Sequence, residues 1–220
     1  MKFRLALAAA ALAVSGLADA ATIDWNSWSS NSSGTIATSS GALTVTYSGE
    51  MSGYYTNYPS WGPSDTFADG TTVANGPNGS NGIIRLVGGM GGEAPVDTVT
   101  FSAPVVNPVM SIWSLGSGGQ SAAFRFIGAT PVFVSGGSSD EYGGSAITVS
   151  GQAVSGLEGN GTVQFIGTYT SLSWTNPFAE DWYGFNVGAP EVSAVPEPGS
   201  VGLLLAGLTL VGLARRRVAR

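Results

Sequence analysis

The 220-residue sequence predicts an all-β fold, a two-sheet antiparallel β-sandwich of jelly-roll-like type, on three observations. Short runs alternate apolar and polar residues, turn-forming dipeptides separate the runs, and no stretch of residues 21–189 sustains a 3.6-residue apolar repeat. Val99 and Phe101 alternate with Thr98 and Thr100, Phe124 and Phe126 flank Arg125, and Ile147 and Val149 flank Thr148. Val163 and Phe165 flank Gln164, Leu172 and Trp174 flank Ser173, and Tyr183, Phe185 and Val187 alternate with Gly184 and Asn186. Successive side chains on a strand point to opposite faces, so each run reads as a strand with one face on the core and one in water. Residues 43–47, 83–87, 109–113 and 131–134 are further strand candidates, giving about ten to twelve strands in all. A single β-barrel is the alternative closure of such a set.

The turns suit this architecture. Asn75-Gly76, Asn78-Gly79, Asn81-Gly82 and Asn160-Gly161, with several Gly-Gly pairs, supply residues that tolerate positive φ. Residues 48–82 are rich in Tyr, Ser, Pro and Gly and read as a long loop over one end of the sandwich. Residues 88–96 and 135–145 read as two shorter loops. All six Trp lie within residues 21–195, enough aromatic bulk for one substantial core. Trp25 and Trp28 read as packing residues.

Composition removes many functions. The chain has no His and no Cys, so a Ser-His-Asp triad, a thiol nucleophile, disulfides and His- or Cys-ligated metals are excluded. Six of the eight basic residues sit at the two ends, leaving Arg85 and Arg125 against twelve acids in residues 21–195, a net charge of −10. Such a body repels nucleic acid and anionic lipid.

The ends read as targeting signals. Residues 1–20 have a basic start at Lys2 and Arg4, an apolar stretch, and the small residues Ala18 and Ala20 at the spacing signal peptidase cuts, which makes them a secretory signal helix. Residues 21–189 are then the extracellular domain, and residues 190–200 a Pro-rich stalk holding Pro196, Glu197 and Pro198. The apolar run 201–214 reads as a short transmembrane helix. Its 14 residues span about 21 Å, less than the roughly 30 Å of a bilayer core. Arg215, Arg216 and Arg217 stop transfer and hold the tail 215–220 in the cytoplasm.

A Pro-Glu-Pro motif, a short hydrophobic helix and a terminal Arg cluster, in that order, resemble the PEP-CTERM sorting signal of Gram-negative bacteria that make exopolysaccharide. The resemblance implies recognition by an exosortase at the inner membrane, removal of the hydrophobic tail, and release or attachment at the cell surface. Segments such as 101–116, 159–167 and 173–185 also resemble extracellular β-sandwich domains of PEP-CTERM proteins, which carry no assigned activity. Prolines on both sides of Glu197 keep that segment extended, as a processing enzyme requires.

Three sets of residues are candidates for chemistry. Tyr54, Tyr55, Tyr58 and Trp61, beside Asn57, Ser60 and Asp65, offer flat rings next to polar partners, which is what a sugar ring needs. The same rings also suit a cover over the end of the sandwich. Asp140, Glu141, Glu180 and Asp181 could supply oxygen ligands to calcium, or a carboxylate pair for glycoside hydrolysis if they converge. The pairs Thr44/Thr46, Thr98/Thr100 and Thr168/Thr170 read as isolated, without the stacked repeat an ice-facing array requires. The reading of the whole is an exported, exosortase-processed surface or matrix protein, non-catalytic and without a required cofactor, associated with exopolysaccharide. The alternative is a carbohydrate-binding module with its site in loop 54–61, with calcium as an optional ligand. Signal peptidase and exosortase are the expected processing partners, and no nucleic acid is expected.

Overall fold

The computed structural model describes residues 19–89 and 94–191. The signal helix and the transmembrane helix expected from the sequence lie outside these residues. Among the described residues no helix is long and apolar enough to cross a membrane.

Sixteen strands form here. In chain order they are β1 (Ile23–Trp25), β2 (Ser27–Trp28), β3 (Ser33–Thr38), β4 (Gly41–Ser48), β5 (Gly53–Tyr55), β6 (Ile83–Leu86), β7 (Val96–Val106) and β8 (Val109–Leu115). They continue with β9 (Ala122–Ile127), β10 (Pro131–Gly137), β11 (Ser145–Ala146), β12 (Thr148–Ser150), β13 (Ala153–Gly156), β14 (Gly159–Phe165), β15 (Thr168–Thr175) and β16 (Tyr183–Pro190). The first sheet runs β10-β14-β8-β16-β6-β5, with β1 on β16 and β11 on β14. The second runs β12-β13-β9-β15-β7-β4-β3-β2. Pairing is antiparallel except for the two-residue β11 against β14. The sheets face each other as a sandwich and do not close into a barrel. The strand number exceeds the expected ten to twelve because β1, β2, β5 and β11 are two or three residues long, too short to show alternation.

The core lies between the sheets and is built from the alternating residues. Phe124, Phe126 and Trp174 come from one sheet and Phe165 and Phe185 from the other, all buried. Their rings meet edge to face, Trp174 on Phe185 at 5.1 Å and Phe126 on Phe165 at 4.8 Å. Such pairs add about 1 kcal/mol each to the burial of their surface. Trp25 and Trp28 are buried as packing residues.

The first sheet departs from a half-solvated pattern. Every residue of β8 and β14 is buried, as are all but the last of β16, so both of its faces are covered. The cover is the segment 48–82, which lies over the outer face of this sheet and not over one end of the sandwich. Within it are β5, a one-turn helix α1 (Ser64–Phe67) and a 3-10 turn at Gly79–Asn81. The outer positions of the central strands are small polar or apolar residues without charge, and they bond to the cover. Thr162 donates to the Phe67 carbonyl at 2.8 Å, while its hydroxyl lies 2.6 Å from that of Ser111.

Asn186 is the hub of this arrangement. Its side-chain Nδ2 lies 3.0 Å from each of the carbonyl oxygens of Asn26, Asn81 and Gly82, and its Oδ1 accepts from the Val187 N–H at 2.7 Å. One amide thus ties the N-terminal strands and the end of the cover to β16. Gly82 can take part because it has φ 70°, and a Cβ there would stand 2.1 Å from the Tyr55 carbonyl.

One acid is buried where β7 begins and another is half-buried where β16 is about to begin. Asp97 is fully buried and accepts from the Tyr47 hydroxyl and the Glu50 N–H, both at 2.7 Å. Burial, aided by the Glu50 charge, outweighs those bonds and pushes its carboxyl up to about 6. Glu180 accepts from the Gly116 N–H at 2.7 Å. Burial, then the charges of Asp181 and Glu158, push it up to about 8.

Two outcomes are expected. Asn186→Ala takes the side-chain donor from the Asn26 and Asn81 carbonyls and one of two donors from Gly82, and should lower the unfolding free energy by about 3 kcal/mol in urea titrations. A loss below about 1 kcal/mol would mean that the hub contributes little. The two acids bind protons more tightly folded than unfolded, so the stability they contribute is complete below pH about 4 and is lost as pH rises through about 6 and then about 8. The melting temperature should therefore fall between pH 5 and 8.5, and Glu180→Gln should flatten the upper half of that fall, with an unchanged slope counting against the assignment.

Candidate functional site

One candidate surface stands where β6 and β16 meet the cover. Arg85 of β6 pairs with Gly184 on one side and Gly53 on the other. The Ile83 side chain fills the space over Gly184, whereas the Arg85 side chain lies beside Gly53, where a Cβ would meet only Arg85 Cδ at 3.9 Å. Its guanidinium carbon stands 3.8 Å from the centre of the Trp182 ring, and Nη1 donates to the Tyr55 hydroxyl at 3.1 Å. The other face of Trp182 stacks on Trp113 at 4.7 Å with 29° between the planes. Trp182 is thus held between a cation and a second indole, an arrangement with a cation–π attraction of about 1 kcal/mol.

Beneath this pair is a buried aromatic cluster of Tyr58, Trp61, Phe67, Ile83 and Trp113. Tyr58 packs edge-on against Trp113 at 5.3 Å and Trp61 at 6.1 Å. The Trp61 indole N–H donates to the Gly82 carbonyl at 3.1 Å. Burial, followed by the nearby Glu141 charge, holds the Tyr58 phenol well above its ordinary value. Above the cluster two rings face solvent, Tyr55 at 44% and Tyr142 at 56% exposure. Tyr142 contacts Trp113 edge-on at 5.4 Å, and the adjacent Glu141 carboxylate raises its phenol. Tyr55, Arg85, Tyr142, Glu141 and Asp181 therefore form one patch of exposed rings among charged hydrogen-bonding groups.

The four rings expected to act together in loop 54–61 are divided. Tyr58 and Trp61 are core, 7% and 6% exposed. Tyr54 and Tyr55 are consecutive on β5 and so point to opposite faces. Only Tyr55 joins the patch. Arg85, Tyr142 and Trp182 escaped the sequence reading because they are far apart in the chain and sit in runs that look like ordinary strand and loop.

The acids are also placed. The Asp140 N–H donates to the Gly62 carbonyl at 2.9 Å, and the Glu141 carboxylate accepts from the Tyr58 hydroxyl at 3.4 Å. Asp181 accepts from the Trp182 N–H at 3.0 Å. Glu180 is tied to Gly116, and its neighbour Glu158 accepts from the Ser114 hydroxyl at 2.6 Å. Ser114 and Glu158 both have positive φ, 55° and 53°. Among the described residues no group of three His, Cys, Asp or Glu side chains is placed to hold a metal. The calcium candidates thus sit in two places, Glu180 against Gly116 and the others around the aromatic patch.

The Thr pairs are less isolated than their spacing suggests. Thr44 pairs with Thr35, Thr46 with Thr100, and Thr100 with Ser171, while the hydroxyls of Thr98 and Ser173 meet at 2.9 Å. They gather on the outer face of the second sheet. A sheet of this size carries a right-handed twist, so the hydroxyls do not form a flat array.

Of the targeting residues, Ala20 is described, whereas Ala18, Pro196, Glu197, Pro198, Arg215, Arg216 and Arg217 lie outside the described residues. The strand that leads to the stalk, β16, ends at Pro190, and the Glu191 N–H donates to the Thr22 carbonyl at 2.8 Å. The last described residue thus lies beside the N-terminal strand, a few residues before the Pro-Glu-Pro segment.

No curated protein and no solved structure matches the chain. A family model described as the PEP-CTERM protein-sorting motif matches residues 194–218. That stretch holds the Pro-Glu-Pro segment, the apolar run and the three consecutive arginines in order. By this tail the chain is a PEP-CTERM protein, exported as a membrane-anchored precursor and addressed to an exosortase.

Proposed function

We propose that the processed protein is a non-catalytic component of the cell surface or extracellular matrix, associated with exopolysaccharide. The observation that carries this reading is the coupling of a sorting tail to a stable, acidic sandwich through a short Pro-rich stalk. Once the ends are removed the body keeps two basic residues against twelve acidic ones, and such a charge keeps a protein soluble and apart from anionic neighbours. The buried polar side chains of Asn186 and Thr162 are committed to holding the cover in place. This favours a structural role over a chemical one.

A second reading has one specific observation in its favour. Tyr55 and Tyr142 are exposed on either side of Arg85, with Glu141 and Asp181 beside them, and rings flanked by charged hydrogen-bonding groups suit a pyranose. In this reading the protein is a carbohydrate-binding module whose site is this patch in place of loop 54–61.

The sorting step is tested with Glu197→Ala, which should leave an uncleaved precursor in the membrane fraction. Normal accumulation of the mature form would refute processing at this motif. The two readings separate in a sedimentation assay with matrix polysaccharide. Saturable binding that falls at least about tenfold in Tyr55→Ala plus Tyr142→Ala, equivalent to about 1.4 kcal/mol, selects the defined sugar site. Binding that does not saturate, and that ignores the two substitutions, selects the matrix role.

A further inference from the structure

We infer that the end of the sandwich from which the chain leaves rests on the bilayer surface while the precursor is anchored, and that Val106 and Ile166 are the residues that touch lipid. The register defines that end. Gln164 of β14 and Gly188 of β16 both pair with Val109, and the two strands run in the same direction, so Ile166 stands level with Pro190. Val106 joins the same end through the second sheet, where it pairs with Thr168 and where the Asn107 N–H donates to the Gly167 carbonyl at 2.7 Å.

This end exposes large apolar side chains. Val106 and Ile166 are each 60% exposed, and Val132, level with Gly188 through Gln164, is 47% exposed. A groove of about 220 Å³ lined by Leu43, Pro104, Val106, Ala189 and Pro190 continues the apolar surface to the exit strand. Large apolar side chains exposed together on a secreted, acidic body call for a covering partner.

The chain itself places the bilayer there. Residues 192–200 separate Glu191 from the apolar run at 201, and nine extended residues reach about 30 Å at most. The charges agree with this orientation. Glu50, Asp97, Asp140, Glu141, Glu158, Glu180 and Asp181 cluster around the opposite end, where β16 begins, about 23 Å away along that strand. Of the acids near the exit, Asp24 pairs with Ala189, Glu191 follows Pro190, and Asp69 accepts from the Val73 N–H beside Ala21, three against the seven at the far end. Standing on its exit end therefore keeps most of the negative charge beyond a Debye length of about 8 Å from anionic headgroups. A second weak contact also suits an apolar run too short to anchor firmly alone.

The absence of Cys makes a direct test simple. The full chain, carrying Val106→Cys, Ile166→Cys or Tyr142→Cys labelled with an environment-sensitive fluorophore, is placed in vesicles of phosphatidylethanolamine and phosphatidylglycerol containing headgroup nitroxide. The labels at 106 and 166 should shift to the blue and lose intensity to the nitroxide, and the label at 142 should do neither. Equal quenching at all three positions, or none at 106 and 166, overturns the proposal. If the shielding of 106 and 166 disappears when the protein is diluted with lipid, a second copy is the occupant and the proposal also fails. A Val132→Cys label in a background of Val106→Ser plus Ile166→Ser should lose its quenching while the circular dichroism stays unchanged. Quenching retained there assigns the contact to other residues.

Discussion

The carboxamide of Asn186 sets the architecture of the first sheet. It lies at the centre of a central strand, on the face turned away from the core, and a polar group there needs partners as soon as it is buried. It finds three carbonyls, from Asn26, Asn81 and Gly82, which no local segment could supply. Meeting that need draws the N-terminal strands and the end of segment 48–82 onto the sheet. Apolar packing completes the cover, since Tyr58, Trp61 and Phe67 fill the space above Trp113 and Ile83. A two-layer sandwich becomes a sandwich with a third, irregular layer on one side.

The patch of Arg85, Trp182, Tyr55 and Tyr142 follows from that cover. With Trp61 and Tyr58 underneath, Trp182 can lie flat on Trp113, and Arg85 has only the Trp182 face and the Tyr55 hydroxyl to settle on. Gly53 on one side of Arg85 leaves room for its side chain, and Gly184 on the other makes room for Ile83. The exposed rings are therefore the upper surface of a core cluster, held in place by contacts below, and not the tip of a free loop. Such support is what a preformed binding surface has in common with a merely well-packed lid.

The molecule is also polar from end to end. Acids, both tied and exposed, collect where β16 begins, while aliphatic side chains stand out where it ends and the chain continues to the sorting tail. Asp97 and Glu180 make the acidic end sensitive to pH, because burial makes their charged forms costly. The polarity has a topological origin. Strands β14 and β16 run in the same direction, so both of their first residues meet at one end and both of their last residues at the other.

Much of this was legible in the sequence because it is local. Alternation over a few residues identified β7, β9, β14, β15 and β16, since strand periodicity is written into consecutive positions. The targeting ends were equally readable, because signal peptidase, membrane and exosortase act on contiguous chain. Alternation also mispredicted one thing, that each strand has a wet face. Asn186 and Thr162 look solvent-facing until their partners at Asn26, Asn81 and Phe67 are known. The same holds for the rings. Tyr54, Tyr55, Tyr58 and Trp61 are neighbours in sequence and separate in space, whereas Arg85, Tyr142 and Trp182 are distant in sequence and adjacent in space. By itself the sequence determined the β class, the export route and the charge of the body, all of which are sums or short-range patterns. Only the tertiary structure decided which faces are dry and which rings meet, because that depends on contacts between segments tens to more than a hundred residues apart, which no local pattern encodes.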